Sequence, residues 1–412
     1  MRILFKNIKQ LLQIREPELR KVSGEEMGVL PYIENAFLLT ENERIVDFGS
    51  MDAIPETYAD LTVDASGKML LPAWCDSHTH LVYAGNREGE FVDRIRGLSY
   101  EEIASRGGGI LNSARQLEST SEEEIFEQSA KRLEEIMQLG TGAVEIKSGY
   151  GLSTQSELKM LRVIRRLAET YPIEIKGTFL GAHAIPETFR DAPEEYVNLI
   201  CDEMIPQVAE SQLAEFIDVF CEKGYFTVEQ TERIMEAGKA KGLVPKIHVN
   251  QFNSIGGIQA ATRSEALTVD HLEVMTEQDF QDLEKSEVMP VALPSCSYFL
   301  SIPYTPGREI IDRGMALAIA TDFNPGSTPS GNMNFAVSTA CIKMRLTPEE
   351  AINAATLNGA LAMNLSESHG SITKGKIANL ILTKEIPTYG FLPYSFGSDL
   401  IDRVMLKGQF IR

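Results

Sequence analysis

Two histidines, His78 and His80, stand two residues apart at the end of the apolar run LLPAWCDSHTH, and Arg87 follows seven residues later. On a strand, residues i and i+2 point to the same side, so both imidazoles can reach one ion. The chain has six histidines, at 78, 80, 183, 248, 271 and 369, and the first five each fall at the end of a short apolar stretch. Asp322 closes another, AIATD. His248 and Asp322 can complete a mixed nitrogen and oxygen site that leaves one position open for water. Such a set suits one zinc or iron ion per chain, and water held there is acidic enough to attack near neutral pH. Each group also has a plainer reading. A lone His-x-His pair can face solvent, His248 can be a satisfied core histidine, and Asp322 before Asn-Pro-Gly is good turn chemistry. It is the four together that point to a metal centre.

The elements that must position these groups are legible in the middle of the chain. Eight short apolar segments read as strands: KMLLPAWCD, TGAVEIKS, EIKGTFLGAH, FIDVFCE, VPKIHVN, LTVDH, VMPVALP and MALAIATD. Amphipathic helices separate most of them, which indicates parallel βα units. SEEEIFEQSAKRLEEIMQL opens with a capping-box pattern, Ser121 and Glu124. TPEEAINAATL repeats it with Thr347 and Glu350, and has Pro348 at the first helical position. Eight such units predict an α/β fold, a (β/α)8 TIM barrel, with its site at the C-terminal ends of the strands. The five histidines and Asp322 would then share one rim. Both ends of the chain have a different character, short alternating strands and turns, as in ENERIVDFGSMDAI and GSITKGKIANLILTKE. They predict a small β-sandwich domain made of residues 1–67 and 366–412, beside a barrel domain of residues 68–365. His369 reads as a surface residue.

Bulk properties narrow the function. The 412 residues carry a formal charge of −20, which argues against a nucleic-acid or anionic-membrane partner but leaves room for a small anionic substrate. No apolar run reaches membrane-spanning length, and MRILFKNIKQLL is too short and polar for a signal peptide. The five cysteines are scattered with no CxxC pattern, as expected of reduced thiols in a cytoplasmic protein. Cys75 and Cys296 fall near the rim and are read as packing residues, because the ligand set is complete without them.

The stretches DSHTHLVYAGNREGEF, RGGGIL, VEIKSGYGL, TFLGAHAIP, DVFCEKG, HVNQF, DHLE and ATDFNPGSTPS span residues 75–330. In these the chain resembles the amidohydrolase superfamily, metal-dependent hydrolases built on a barrel with a β-sandwich from both termini. It is most similar to the branch that opens an imidazolone ring. The resemblance implies His78, His80, His248 and Asp322 as metal ligands, and Arg87, Tyr150, His183 and Gln251 around the substrate. It implies His271 beside the reacting carbon, with Asn324, Gly326 and Ser327 at the glutamate end of the product. It implies hydrolysis of 4-imidazolone-5-propanoate to N-formimidoyl-L-glutamate, and a homodimer.

The residue types suit that chemistry. Ring opening needs an activated water, a polarised carbonyl and a proton for the leaving nitrogen. His271 can hold the carbonyl oxygen. Asp322 can bind the ion through one oxygen and move a proton through the other. Arg87 offers a planar fork to the propionate carboxylate, and Tyr150 is a second donor on the glycine-flanked turn SGYG. Gln251 stands where relatives can carry Glu. Glutamine cannot take a proton and can only orient water or bind the ring, so Asp322 or His271 does the proton work, and Asp322 is favoured. The glycines of RGGGIL form either a turn or a lid. Three alternatives remain at this point. A purine or pyrimidine deaminase would want a Glu at 251. A two-metal cyclic amidase would want a bridging lysine, for which Lys147 or Lys223 is available. A non-catalytic scaffold would be expected to have lost ligands, and none is missing here.

Overall fold

A computed structural model describes residues 1–98, 102–103 and 108–412. Part of the RGGGIL segment, Arg106 and Gly107, lies outside the described residues.

Five strands precede the barrel: β1 (Arg2–Leu12), β2 (Tyr32–Glu41), β3 (Arg44–Ser50), β4 (Leu61–Asp64) and β5 (Lys68–Pro72). The barrel strands are β6 (Trp74–Thr79), β7 (Thr141–Lys147), β8 (Glu174–Ala182), β9 (Phe216–Cys221), β10 (Val244–Val249), β11 (Thr268–His271), β12 (Met289–Ala292) and β13 (Ala318–Ile319). Three more close the chain: β14 (Leu380–Glu385), β15 (Ile401–Leu406) and β16 (Gln409–Phe410).

β6 to β13 lie side by side in chain order, and the pairs are parallel. Nearly every residue in them is buried on both faces, which is why they read as continuous apolar runs rather than alternating ones. The sheet closes on itself just past β13. Asp322 donates its N–H to the His78 carbonyl at 3.0 Å, and His80 donates to the Phe323 carbonyl at 2.8 Å. Buried Asp76 adds a side-chain clasp, accepting from the backbone and hydroxyl of Thr321 at 3.0 and 2.6 Å. The closure therefore ties the first histidine pair to the last carboxylate.

The remaining strands form a second, mixed sheet in the order β16-β15-β14-β5-β1-β2-β3, with β4 against β1, so it is built from both ends of the chain. One face buries Ile3, Phe5, Ile8, Leu38 and Leu380, and the other buries Leu4, Phe37 and Leu39. Each such side chain contributes about 1.5–3 kcal/mol of apolar burial. The segment KMLLPAWCD, expected as one barrel strand, divides between the two sheets. Lys68–Pro72 pairs with β14, and Trp74 begins the barrel by donating to Gly140. Pro72 lacks the N–H that a central strand needs, which favours the break there. At this junction a Cβ on Gly142 would lie 2.6 Å from that of Ala73, so only glycine lets the two sheets approach so closely.

Two expected helices are present as Glu122–Gln138 and Pro348–Ala355. Thr347 and Glu350 make both bonds of the capping box. Ser121 caps its helix, but the Glu124 carboxylate accepts from Gln128 instead. His369 is buried rather than on the surface, with Nδ1 2.8 Å from the Ser368 hydroxyl.

Candidate metal centre and substrate cavity

Strand ends bring His78, His80, His248, His271 and Asp322 to one rim. The Nε2 atoms of His78 and His80 each lie 3.6 Å from Oδ1 of Asp322, and the Nε2 atoms of His80 and His248 are 3.4 Å apart. Ligands at zinc distances on a tetrahedron are separated by about 3.4 Å. His78 Nε2 is buried with no hydrogen-bond partner. A buried polar atom of that kind is costly unless something outside the protein completes it. The donor set, the spacing and this orphaned nitrogen all fit a metal ion.

A second layer orients these side chains, and most of it has no signature in the sequence. His78 Nδ1 lies 2.5 Å from Asp270, and His248 Nδ1 lies 2.9 Å from Asp218. Carboxylates in this position fix the ring and aim Nε2 at the ion. Both carboxylates share one buried ammonium. Lys147 Nζ is 2.8 Å from Asp218, 3.8 Å from Asp270 and 2.5 Å from Glu145. Lys246 pairs with the other oxygen of Glu145. Burial opposes the charge on Lys147, but Asp218, Glu145 and Asp270 outweigh it and raise its pKa. Lys147 thus lies beneath the histidines as a counter-ion.

His271 faces Glu273, with Nδ1 3.3 Å from Oε1. Its chain neighbour Asp270 serves His78 instead. Burial works against a charged His271, yet Glu273, Asp322 and Asp270 together raise its pKa. Burial lifts the Asp322 carboxyl to about 6, opposed by His271 and by hydrogen bonds that include Ser327. His271 has φ 90° and Asp322 φ 57°, conformations that non-glycine residues rarely adopt. The strain is held in place by Thr305, whose hydroxyl donates to the His271 carbonyl at 2.6 Å, and by the closure bond from Asp322 to His78.

A cavity of about 310 Å³ opens over these groups. Arg87, Tyr150, His183 and Gln251 line it, as do Asn324, Gly326 and Ser327. Arg87 precedes the helix Glu88–Ile95 and is held by Glu90, at 2.8 Å from Nε and 2.6 Å from Nη2. The same carboxylate accepts from the backbone N–H of Gly109 at 3.0 Å. Gly326 packs on the Arg87 guanidinium so closely that a Cβ there would overlap it. His183 lies 2.9 Å from the Gly149 carbonyl through Nδ1, which assigns the proton to that nitrogen, and its ring stacks on His80 at 5.2 Å. The SGYG turn is shaped by buried Glu157, which accepts from Gly149, Gly151 and Leu152 at 2.7–3.0 Å. The side chain of Asn324 bonds within its own loop, to Asp322, Gly326 and Ser327. Gln251 Nε2 reaches the sulfur of Cys296 at 3.6 Å. Sequence reasoning missed Arg94, which lines the cavity and donates to the Gly326 carbonyl at 3.1 Å. It also missed the apolar walls, Phe220, Tyr225, Leu300 and Ile302. None of these stands in a pattern that marks it out.

The chain belongs to the amidohydrolase family, whose model matches residues 69–411. It is similar along its whole length to E. coli guanine deaminase, with a TM-score of 0.75, 14% identity and coverage of 100% and 99% of the two chains. At that identity the likeness is one of fold. Imidazolonepropionase of Christiangramia forsetii is 64% identical over 411 residues, covering 100% of both chains. That of Flavobacterium johnsoniae is 66% identical over 408 residues, covering 99% of both. Within the family, the chain groups with the imidazolonepropionases. No helix among the described residues is long and apolar enough to cross a membrane.

Proposed function

We propose that the protein hydrolyses 4-imidazolone-5-propanoate to N-formimidoyl-L-glutamate. The observation that carries the reading is the meeting of three histidines and Asp322 on the floor of a cavity whose wall presents Arg87. His78, His80, His248 and Asp322 would hold the ion, in this reading zinc with iron as the alternative, which would supply an acidified water and polarise the substrate carbonyl. The other steps belong to side chains. Arg87 takes the propionate carboxylate, with Tyr150 as a second donor, and the FNPGS loop at residues 323–327 shapes the pocket for that end. His183 presents its unprotonated Nε2 to the ring. His271, whose proton Glu273 favours, donates to the carbonyl oxygen and stabilises the negative charge that develops there. Asp322 accepts the proton of the attacking water at the oxygen that faces Ser327 and delivers it to the leaving ring nitrogen. Gln251, unable to ionise, orients water or substrate.

Two features weigh against the alternatives. A deaminase of this fold would need a carboxylate where Gln251 stands. A two-metal amidase would need a lysine among the rim ligands, whereas Lys147 is buried among three carboxylates and Lys223 is exposed, outside the lining of the cavity. The five unpaired cysteines suit a cytoplasmic setting, and a homodimer is the expected assembly. The deciding experiment follows the absorbance of freshly prepared 4-imidazolone-5-propanoate with metal-loaded and chelated protein. Metal-dependent loss with formation of N-formimidoyl-L-glutamate is expected. Metal-loaded protein that leaves the substrate intact would refute the reading.

A further inference from the structure

One group of donors behind the reaction centre combines His271 with two side chains that touch no substrate in the chemistry above. His271, Glu273 and Cys296 each offer a ligand atom, all within 4.8 Å of one another, and all three residues are buried. His271 Nδ1 and Glu273 Oε1 are 3.3 Å apart, the edge length expected of a tetrahedral site at zinc distances. The second oxygen of Glu273, Oε2, is buried with no hydrogen-bond partner, although the carboxylate as a whole is fully enclosed. Cys296 is a free thiol whose sulfur meets Gln251, a cavity-lining residue. A thiol, an imidazole and a carboxylate make a softer set than three histidines and an aspartate, and soft sets favour thiophilic cations.

We propose that His271, Glu273 and Cys296 form a second cation site, selective for a thiophilic divalent ion such as cadmium or excess zinc, whose occupancy inhibits the enzyme. His271 is the hinge of the idea. Its ring lies against those of His78 and His248, and its Nδ1 faces Glu273. An ion entering from the cavity past Gln251 bonds to Nδ1, a Glu273 oxygen and the Cys296 sulfur. The proton between His271 and Glu273 and the thiol proton leave to solvent, so two protons are exchanged for one dication. Bonding to the second ion draws the His271 ring towards Glu273 and Cys296, and so away from the carbonyl oxygen that it holds in the reading above. The inhibitory part rests on the role given to His271 above; the binding part does not.

The test uses protein loaded with one equivalent of zinc and titrated with cadmium. The expected result is a second bound cation with the first retained, a sulfur-to-cadmium charge-transfer absorption in the ultraviolet, and at least a tenfold fall in turnover. Cys296→Ala and Cys296→Ser should bind one cation in total, lack that absorption and keep their turnover in cadmium. Glu273→Gln should weaken the second cation at least tenfold while retaining the first. A total of one cation in the wild type, or a second cation bound equally well by both Cys296 variants, overturns the site. A second cation with the absorption but undiminished turnover overturns the inhibition. The cation count and the absorption need no substrate, so they stand apart from any failure of the proposed reaction.

Discussion

Replacing Lys147 with Met separates what holds the metal from what holds the fold. Its ammonium touches Glu145 and Asp218 and lies 3.8 Å from Asp270, and every member of the group is fully buried. With Lys246, the cluster has two positive and three negative groups. Methionine keeps much of the stem volume and removes one charge, leaving three carboxylates against one ammonium. Stranding a buried charge costs about 3–5 kcal/mol. That is a large part of a typical total of about 5–15 kcal/mol. Repulsion also encourages Asp218 or Asp270 to protonate or turn, and those carboxylates aim His248 and His78. Loss of such an orienting group lowers metal affinity about 10- to 100-fold. Because one lysine serves both pairs, the upper end is expected. Stability should be measured by urea unfolding of the metal-free protein, so that lost binding does not count as lost stability. Affinity should be measured by chelator competition on folded protein at a temperature well below unfolding. If stability falls by several kcal/mol while zinc affinity stays within about twofold of wild type, Lys147 only holds the barrel together and the shared counter-ion reasoning is wrong.

Other outcomes test other links. His78→Ala should lose stoichiometric metal while circular dichroism stays native-like, since the ligand role and the fold are separable; full metal content would remove His78 from the ligand set. Gly326→Ala should displace the Arg87 guanidinium and raise KM roughly 10- to 100-fold with a smaller change in kcat, the loss expected of a charge-assisted bond of about 1.5–3 kcal/mol; an unchanged KM would mean that Arg87 does not hold the substrate. The metal-free protein should weaken on acidification. Burial lowers the pKa of His183 to about 3, of His248 and His369 to about 4, and of His78 and His80 well below the usual value, which together outweigh the opposite pull of the buried carboxyls of Asp76, at about 7, and of Asp270 and Asp322, at about 6. The unfolded chain takes up those protons first, near 6.5, so stability is full above that pH and falls as pH drops towards 4, by roughly 1.4 kcal/mol per group per pH unit. Urea midpoints at pH 7 and pH 5 that coincide would contradict it.

The sequence exposed the groups that chemistry marks and hid those that only position them. His78, His80, His248 and Asp322 were visible because imidazoles and a carboxylate at the ends of apolar runs are unusual, and strand periodicity put them on one rim. The orienting roles of Asp218 and Asp270 were invisible for the opposite reason. Each sits inside an apolar strand, FIDVFC and TVDH, where an acidic residue looks like an interruption. Lys147 drew attention only as a candidate bridging lysine near a strand end, and Lys246 drew none. Their pairing spans up to 123 residues and exists only after the barrel closes. The division of KMLLPAWCD was missed because a single apolar run carries no mark of which sheet each half joins, apart from Pro72.

His369 carries the same lesson in reverse. A histidine without a motif was expected at the surface, yet it is buried beside Ser368, and Lys376 donates to its carbonyl at 2.9 Å. Polarity predicts exposure only when no partner is at hand, and partners distant in sequence are what a closed barrel with a sheet from both termini supplies. The reaction centre depends on that same property. Its strained residues, His271 and Asp322, are held by Thr305 and by the closing bond to His78, neither adjacent in the chain. Catalytic geometry here is a consequence of barrel closure, so substitutions that loosen the seam between Asp76 and Thr321 should disturb the metal site before they unfold the protein.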